Sequence, residues 1–119
     1  MGSEMCIRDS SCGEGAVDVE ALAARFPSLV LVSITPWGRT GRWRDRPATE
    51  FTVQAESGSL ATRGLPGGEP FQAAGRTAEW VSGLYGAVAG LAAVHRARSA
   101  GVGERVDVSM LEALSLIHI

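Results

Sequence analysis

The residues best placed for chemistry sit at the start of one long apolar stretch, Arg76 to Ala100. Thr77 reads as the N-cap of a helix, because its hydroxyl can accept an otherwise orphaned backbone N–H. Glu79 then falls in the first turn, where the helix dipole favours a negative charge. Gly83 follows one turn later. Helix side chains lean toward the N-terminus, so residue 83 would ordinarily cover the turn that carries Glu79. A glycine there leaves the carboxylate uncovered, and an ionised carboxylate with open space above it can act as a nucleophile or a base. The same residues also read as an ordinary helix-start acid followed by glycine packing contacts, and taken alone they favour that plainer reading.

A second concentration of reactive types is Thr35-Pro36-Trp37-Gly38-Arg39-Thr40-Gly41-Arg42-Trp43-Arg44-Asp45-Arg46-Pro47. Gly38 and Gly41 permit unusual backbone angles and close approach. Four arginines interleaved with Trp37 and Trp43 suit an anionic, partly aromatic ligand, guanidinium to phosphate and indole to a ring. Equally, the segment reads as a solvated basic loop whose tryptophans tuck into the core. Arg with Trp also suits single-stranded nucleic acid, but one short loop in an acidic chain gives that little support. His95 lies beside Arg96 and Arg98 with no second ligand at metal spacing. It is expected to be structural, or to pair with a helix C-terminus, and no metal site is expected.

The elements that must position these residues follow an α/β rhythm. Val17 to Arg25 reads as a short amphipathic helix with Val19, Leu22 and Ala23 inward, ended by Pro27. Leu29 to Ile34 is a continuous aliphatic run, the pattern of a strand buried on both faces of a parallel sheet. The Arg/Trp loop therefore lies at a strand's carboxyl end, where open α/β sheets bind ligands. Thr49 to Ser57 fits a short helix, and Gly58 to Gly75 an irregular connection. In the long helix Val81, Leu84, Tyr85, Val88, Leu91, Ala92 and Val94 fall at three- and four-residue steps. With few polar positions opposite, it is expected to be buried on most sides. Each interior glycine costs about 1 kcal/mol against alanine, so Gly83, Gly86 and Gly90 imply that something approaches the helix backbone closely. Arg105 to Met110 alternates as a strand with Val106, Val108 and Met110 on one face. Ser109 and Glu112 then resemble a capping box that opens another helix.

Composition narrows the function classes. A chain of 119 residues with net charge −2 gives no global case for nucleic acid or for an acidic partner. Cys6 and Cys12 supply no disulfide framework, which fits a reducing compartment and a cytoplasmic location. Glycines, Glu79 and His95 interrupt the apolar run, so no membrane span is expected. Both ends look foreign. Met5–Ser10 and Leu114–Ile119 can be encoded by strings that are reverse complements of each other and resemble the end of a transposase-based sequencing library. Residues 1–10 and 114–119 are therefore expected to be non-native, adapter-derived tails, and 11–113 an interior piece of a longer protein.

Taken in order, LVLVSITPWGRTGRWRDRPATEFTVQAESG, a glycine-rich link, and AEWVSGLYGAVAGLAAVHRARSAGVGERVDVSMLEA resemble the family III coenzyme A transferases (the CaiB/BaiF family). The likeness rests on several motifs in sequence. They are a strand ending in Ser-Ile-x-x-aromatic-Gly-x-x-Gly, a Gln-Ala-x-Ser-Gly element, the x-G-L helix, a basic glycine turn and a V-D-V-S-M strand. The resemblance implies an α/β fold, with residues 11–113 forming part of the large domain: parallel strands, packed helices and one long buried helix. It implies an enzyme that moves coenzyme A from an acyl-CoA thioester to a carboxylic acid. No cofactor is bound permanently, since coenzyme A and acyl-CoA are substrates. Two full-length chains would interlock as a homodimer, with neither nucleic acid nor membrane as partner.

The family's catalytic carboxylate lies four residues before the glycine of the long helix, which here is Glu79 before Gly83. The loop touching coenzyme A corresponds to Thr35, Pro36, Trp37 and Gly38. The sequence departs from the family pattern at Glu79 and Glu50, where aspartate is common, and at Arg42, where proline is usual. The extra methylene at Glu79 moves its carboxylate by ~1 Å, and a misplacement of that size can cost on the order of a hundredfold. The regions that bind the adenine end are missing, so the fragment alone is expected to be inactive. Three other readings are an acyl-CoA racemase or epimerase using Glu79 as a base, a silent paralogue subunit, and an anion-binding module built on the Arg/Trp loop.

Overall fold

The computed structural model describes residues 18–61 and 63–115. The anticipated tail at 1–10, residues 116–119 of the one anticipated at 114–119, both cysteines, and Val17 lie outside the described residues, whereas Leu114 and Ser115 are described, at the end of α4. The chain runs helix α1 (Val19–Arg25), strand β1 (Leu31–Thr35), helix α2 (Glu50–Glu56), helix α3 (Thr77–Ala100), strand β2 (Arg105–Ser109) and helix α4 (Met110–Leu114). The two strands pair in parallel, from Leu31 opposite Arg105 to Thr35 opposite Ser109. A parallel pair needs a long crossover, and α2, the glycine-rich link and α3 together provide it.

Local chemistry sets the ends of these elements. Asp18 caps α1 by accepting from the N–H groups of Glu20 and Ala21, each at 3.0 Å. Thr49 and Thr52 form a reciprocal capping box at the start of α2. The hydroxyl of Ser109 accepts from the N–H of Glu112 at 3.4 Å, which opens α4. Gly101 closes α3 in the left-handed conformation (φ 72°), with its N–H donating to the Ala97 carbonyl, a conformation glycine adopts at no steric cost.

Thr77 is not the cap expected of it. Arg76 takes the N-cap position without a side-chain capping bond, and Thr77 is already helical. Its hydroxyl turns back and donates to the Ala74 carbonyl at 3.3 Å. The orphaned N–H of Ala78 is satisfied from outside the helix, by Glu50.

The face that α3 buries also differs from expectation. The residues it buries are Ala78, Ser82, Gly86 and Ala93. Trp80, Leu84, Tyr85, Val88 and Leu91 are exposed within this chain. The strand side chains account for this. A Cβ on Gly86 would stand 2.8 Å from Cδ1 of Ile34, and one on Gly90 would stand 3.2 Å from Cγ2 of Val32. Branched residues on β1 fill the space between the layers, so only the small face of α3 can lie against the sheet. The expected close approach at Gly86 and Gly90 is therefore made by β1. A core of Trp37, Val53, Ala78, Met110 and Leu114 joins the loop after β1 to α2, α3 and α4. Val32, at 41% exposure, shows that β1 is not covered on both faces by this chain.

Candidate functional site

Glu79 occupies the first turn of α3, with its side chain 27% exposed. Arg76 grips the carboxylate with a fork. Its Nε lies 2.5 Å from Oε2 and its Nη2 lies 2.5 Å from Oε1, a bidentate geometry that fixes the plane of the carboxylate. Beside this pair is a cavity of about 140 Å³ lined by Pro36, Ala48, Thr49, Glu50, Val53, Arg76, Glu79 and Met110. Pro36 belongs to the loop leaving β1, so the carboxylate and that loop share one space at the carboxyl end of the parallel pair. Gly83 lies one turn on, and no atom outside its immediate helix surroundings comes within 4 Å of where its Cβ would be. Of the three interior glycines, this one faces open space.

The loop after β1 is held from beneath. Asp107 on β2 accepts from the hydroxyl of Ser33 at 2.8 Å and from the N–H of Arg39 at 2.8 Å. Gly38, at φ +83°, turns the chain beside that same carboxylate. The N–H of Leu111 donates to the Pro36 carbonyl at 3.1 Å, which ties the loop to α4. The hydroxyl of Thr35 is buried and lacks a hydrogen-bond partner among the described residues.

Trp37 is buried, and its Nε1–H donates to the Arg46 carbonyl at 2.8 Å. The edge of Trp43 meets it with ring centroids 5.6 Å apart. The Arg46 guanidinium lies 5.1 Å and 5.0 Å from the two rings and pairs with Glu56 at 2.8 Å. The Arg/Trp stretch thus consumes much of its own chemistry in packing, so the reading in which the tryptophans tuck into the core holds for Trp37. Of the four residues matched to the coenzyme loop, Pro36 alone lines the cavity. The Trp37 indole is not presented for stacking.

Two residues that sequence reasoning left without a role stand at the site. Glu50 lines the cavity, and its Oε1 accepts from the N–H of Ala78 at 2.7 Å. Asp107 anchors the loop. The signal for Asp107 was present in its outward alternation on β2, but its partner 68 residues away left no trace in spacing. His95 is exposed on the far part of α3. Among the described residues, no group of three or more His, Cys, Asp or Glu side chains gathers at metal-binding range, and no helix is long and apolar enough to cross a membrane.

Comparison with known proteins agrees with this layout. A succinate–glutarate CoA-transferase of Agrobacterium fabrum is 33% identical over 101 residues, covering 85% of this chain and 25% of that protein. A subunit of the succinyl-CoA:(R)-benzylsuccinate CoA-transferase of Thauera aromatica is 35% identical over 108 residues, covering 87% of this chain and 26% of that one. Among solved structures, a CaiB/BaiF family protein from Brucella suis superposes with a TM-score of 0.79 at 30% identity, over 83% of this chain and 26% of that one. A hypothetical protein from Mycobacterium tuberculosis gives 0.70 at 29% identity, over 80% and 27%. The chain spans about a quarter of the length of the curated relatives it matches. The family profile for CoA-transferase family III matches residues 8–118, nearly the whole chain, and the parallel pair, crossover helix and loop all fall within that match. The chain belongs to CoA-transferase family III.

Proposed function

We propose that residues 11–113 are part of the large domain of a longer coenzyme A transferase. In that enzyme Glu79 would be the carboxylate that carries the acyl and thiol groups between a thioester and an acid. The observation that carries this reading is the shared cavity: Glu79, gripped by Arg76, faces the same about 140 Å³ as Pro36 of the loop after β1. Ligand pockets for whole small molecules run to about 300–1,000 Å³. This space suits a short acyl group, with the rest of coenzyme A lying across the loop of Thr35, Pro36, Trp37 and Gly38. Contact there would run through the backbone and Pro36, since the Trp37 ring is buried.

The steps balance without a co-reactant. A Glu79 oxygen attacks the thioester carbonyl, the C–S bond breaks, and coenzyme A leaves as thiolate, giving a mixed anhydride of Glu79 and the donor acid. The thiolate attacks the Glu79 carbonyl carbon, which releases the donor acid and leaves a glutamyl thioester. The acceptor carboxylate attacks that carbon and again releases thiolate. The thiolate then attacks the acceptor's acyl carbon and regenerates Glu79. Arg76 can hold the plane of the carboxylate before attack, and it must loosen one arm of the fork as that oxygen becomes the bridging oxygen of the anhydride. The names of the relatives, with succinate, glutarate and benzylsuccinate in them, point to dicarboxylic acids as the acid class.

The same reading carries several further proposals. The parent works as an interlocked homodimer in the cytoplasm, coenzyme A is substrate and not resident cofactor, and the terminal tails at 1–10 and 114–119 are foreign. The experiment that tests the chemistry uses the full-length parent, incubated with succinyl-CoA and trapped with hydroxylamine or borohydride. An adduct on Glu79 that is lost in Glu79→Gln is the expected result. Exchange of the proton on the acyl α-carbon with no adduct would replace the transferase with a racemase. Neither adduct nor exchange would mark a silent subunit.

A further inference from the structure

We infer that Glu50 and Gln54 are positioning residues for the Glu79 carboxylate, an inference that rests on the reading of Glu79 as nucleophile. The first turn of α3 has no side-chain cap of its own. Its place is fixed from α2 instead. Glu50 Oε1 receives the N–H of Ala78, the residue next to Glu79, at 2.7 Å, and the Nε2–H of Gln54 at 2.7 Å. The other end of the Gln54 amide, Oε1, accepts the N–H of Ala73 at 2.9 Å. Gln54 and Ala78 are both 0% exposed. One buried amide and one carboxylate therefore clamp the chain at two points, at Ala73 before the turn that delivers Glu79 and at Ala78 within it. The Ser82 hydroxyl then locks the Ala78 carbonyl at 2.6 Å.

The clamp controls the backbone of the nucleophile, while Arg76 controls its side chain. Neither control substitutes for the other. Arg76 lies in the same turn as Glu79 and moves with it, so it cannot set where that turn stands relative to the loop after β1. Glu50 can, because α2 carries its own capping box and packs Val53, 2% exposed, into the core. A glutamine at position 50 keeps an oxygen that can accept from both N–H groups. An aspartate is one methylene short of them, and an alanine has nothing to offer. Position and not charge is the feature that should matter.

Glu50→Gln, Glu50→Asp and Glu50→Ala in the full-length parent test this, with two readouts. The first is the single-turnover rate of adduct formation on Glu79 with succinyl-CoA, and the second is amide hydrogen exchange at Ala78. Glu50→Gln is expected to stay within about threefold of wild type on both. Glu50→Asp and Glu50→Ala are expected to slow the adduct by about tenfold to a hundredfold, with the concentration giving half-maximal rate little changed, and to speed Ala78 exchange at least about tenfold. If Glu50→Ala does not fold, Glu50→Asp carries the same comparison. Wild-type rates in whichever short variant folds would overturn the inference, as would a loss in Glu50→Gln equal to that in Glu50→Asp, or an adduct mapped to Glu50 itself. A wild-type parent that forms no adduct would overturn the proposed function instead, and the Ala78 exchange pattern would still decide whether the clamp exists.

Discussion

Three alanine substitutions along α3 separate glycines that pack from a glycine that leaves room. Gly83, Gly86 and Gly90 are all helical, so each gains the same propensity on substitution, about 0.8–1.0 kcal/mol. The difference lies in what the new methyl meets. At Gly83 it meets nothing within 4 Å, so Gly83→Ala should stabilise by the full amount of about 1 kcal/mol. At Gly86 it would stand 2.8 Å from Cδ1 of Ile34 and 3.4 Å from Cγ1. Inserting a methyl into such a contact costs about 1–3 kcal/mol. The clashing atom is the tip of a side chain that can turn, so the net for Gly86→Ala runs from about neutral to about 2 kcal/mol destabilising. At Gly90 the neighbour is Cγ2 of Val32 at 3.2 Å, on a side chain stiff at χ1, and gain and cost should nearly cancel.

Urea unfolding of the parent reads this order directly. With slopes of about 1–3 kcal/mol per molar, 1 kcal/mol moves the midpoint by about 0.3–1 M. Gly83→Ala should move up, Gly90→Ala should stay, and Gly86→Ala should stay or fall. A Gly86→Ala midpoint that rises with Gly83→Ala would refute the packing of the small face of α3 on β1. The adduct assay adds the functional half. A methyl at 83 leans over the turn bearing Glu79, so the more stable variant should react with succinyl-CoA at least about tenfold more slowly. Full reactivity in that variant would make Gly83 an ordinary helix glycine.

Asp107→Asn replaces one of two acceptor oxygens with a donor, facing either the Ser33 hydroxyl or the Arg39 N–H. The loop should lose about 1 kcal/mol of anchoring, seen as faster amide exchange at Arg39. Trp37→Phe removes the Nε1–H bond to the Arg46 carbonyl while keeping most of the ring, and should cost about 1–2 kcal/mol in thermal or urea unfolding. The Glu20 carboxyl is held below its ordinary range, mainly by the hydrogen bond from Arg105 and further by its charge. Because the folded value is depressed, its contribution is present above the unfolded value and lost as pH falls through the folded one. A carboxyl titration by NMR should show the Glu20 midpoint below the usual range and moving up toward it in Arg105→Met.

Much of the outline of the fold was legible because most boundaries have a local cause, the start of α3 excepted. Gly101 ends α3, Thr49 opens α2, and the aliphatic run before Thr35 pairs in parallel as its double-sided pattern suggests. The orientation of α3 was not legible, for a physical reason. A helix that is apolar on nearly every side carries no period to say which face meets the sheet. The size of Val32 and Ile34, two elements away, selects the glycine and alanine face. The cap of α3 failed for the same reason. Thr77 has the right chemistry, but Arg76 takes the N-cap position, and the carboxylate that serves the Ala78 N–H comes from α2, out of reach of local spacing.

At the candidate site, reading from sequence singled out Glu79 and the loop after β1 but not what aligns them. Glu79 and Pro36 stand 43 positions apart and share a cavity because three long-range bonds act together. Asp107 sets the loop on β2, Leu111 ties it to α4, and Glu50 sets the first turn of α3 on α2. Each of the three joins an element that carries part of the cavity to another. If alignment is what this scaffold supplies, Asp107→Asn and Glu50→Ala should both depress adduct formation while leaving Glu79 and Arg76 untouched. Their combination should cost less than the product of the two, since a loop already displaced gains nothing from a well-placed turn. Strictly multiplicative losses in that double variant would mean that the two anchors act on independent steps, and the shared cavity would then not be where the chemistry occurs.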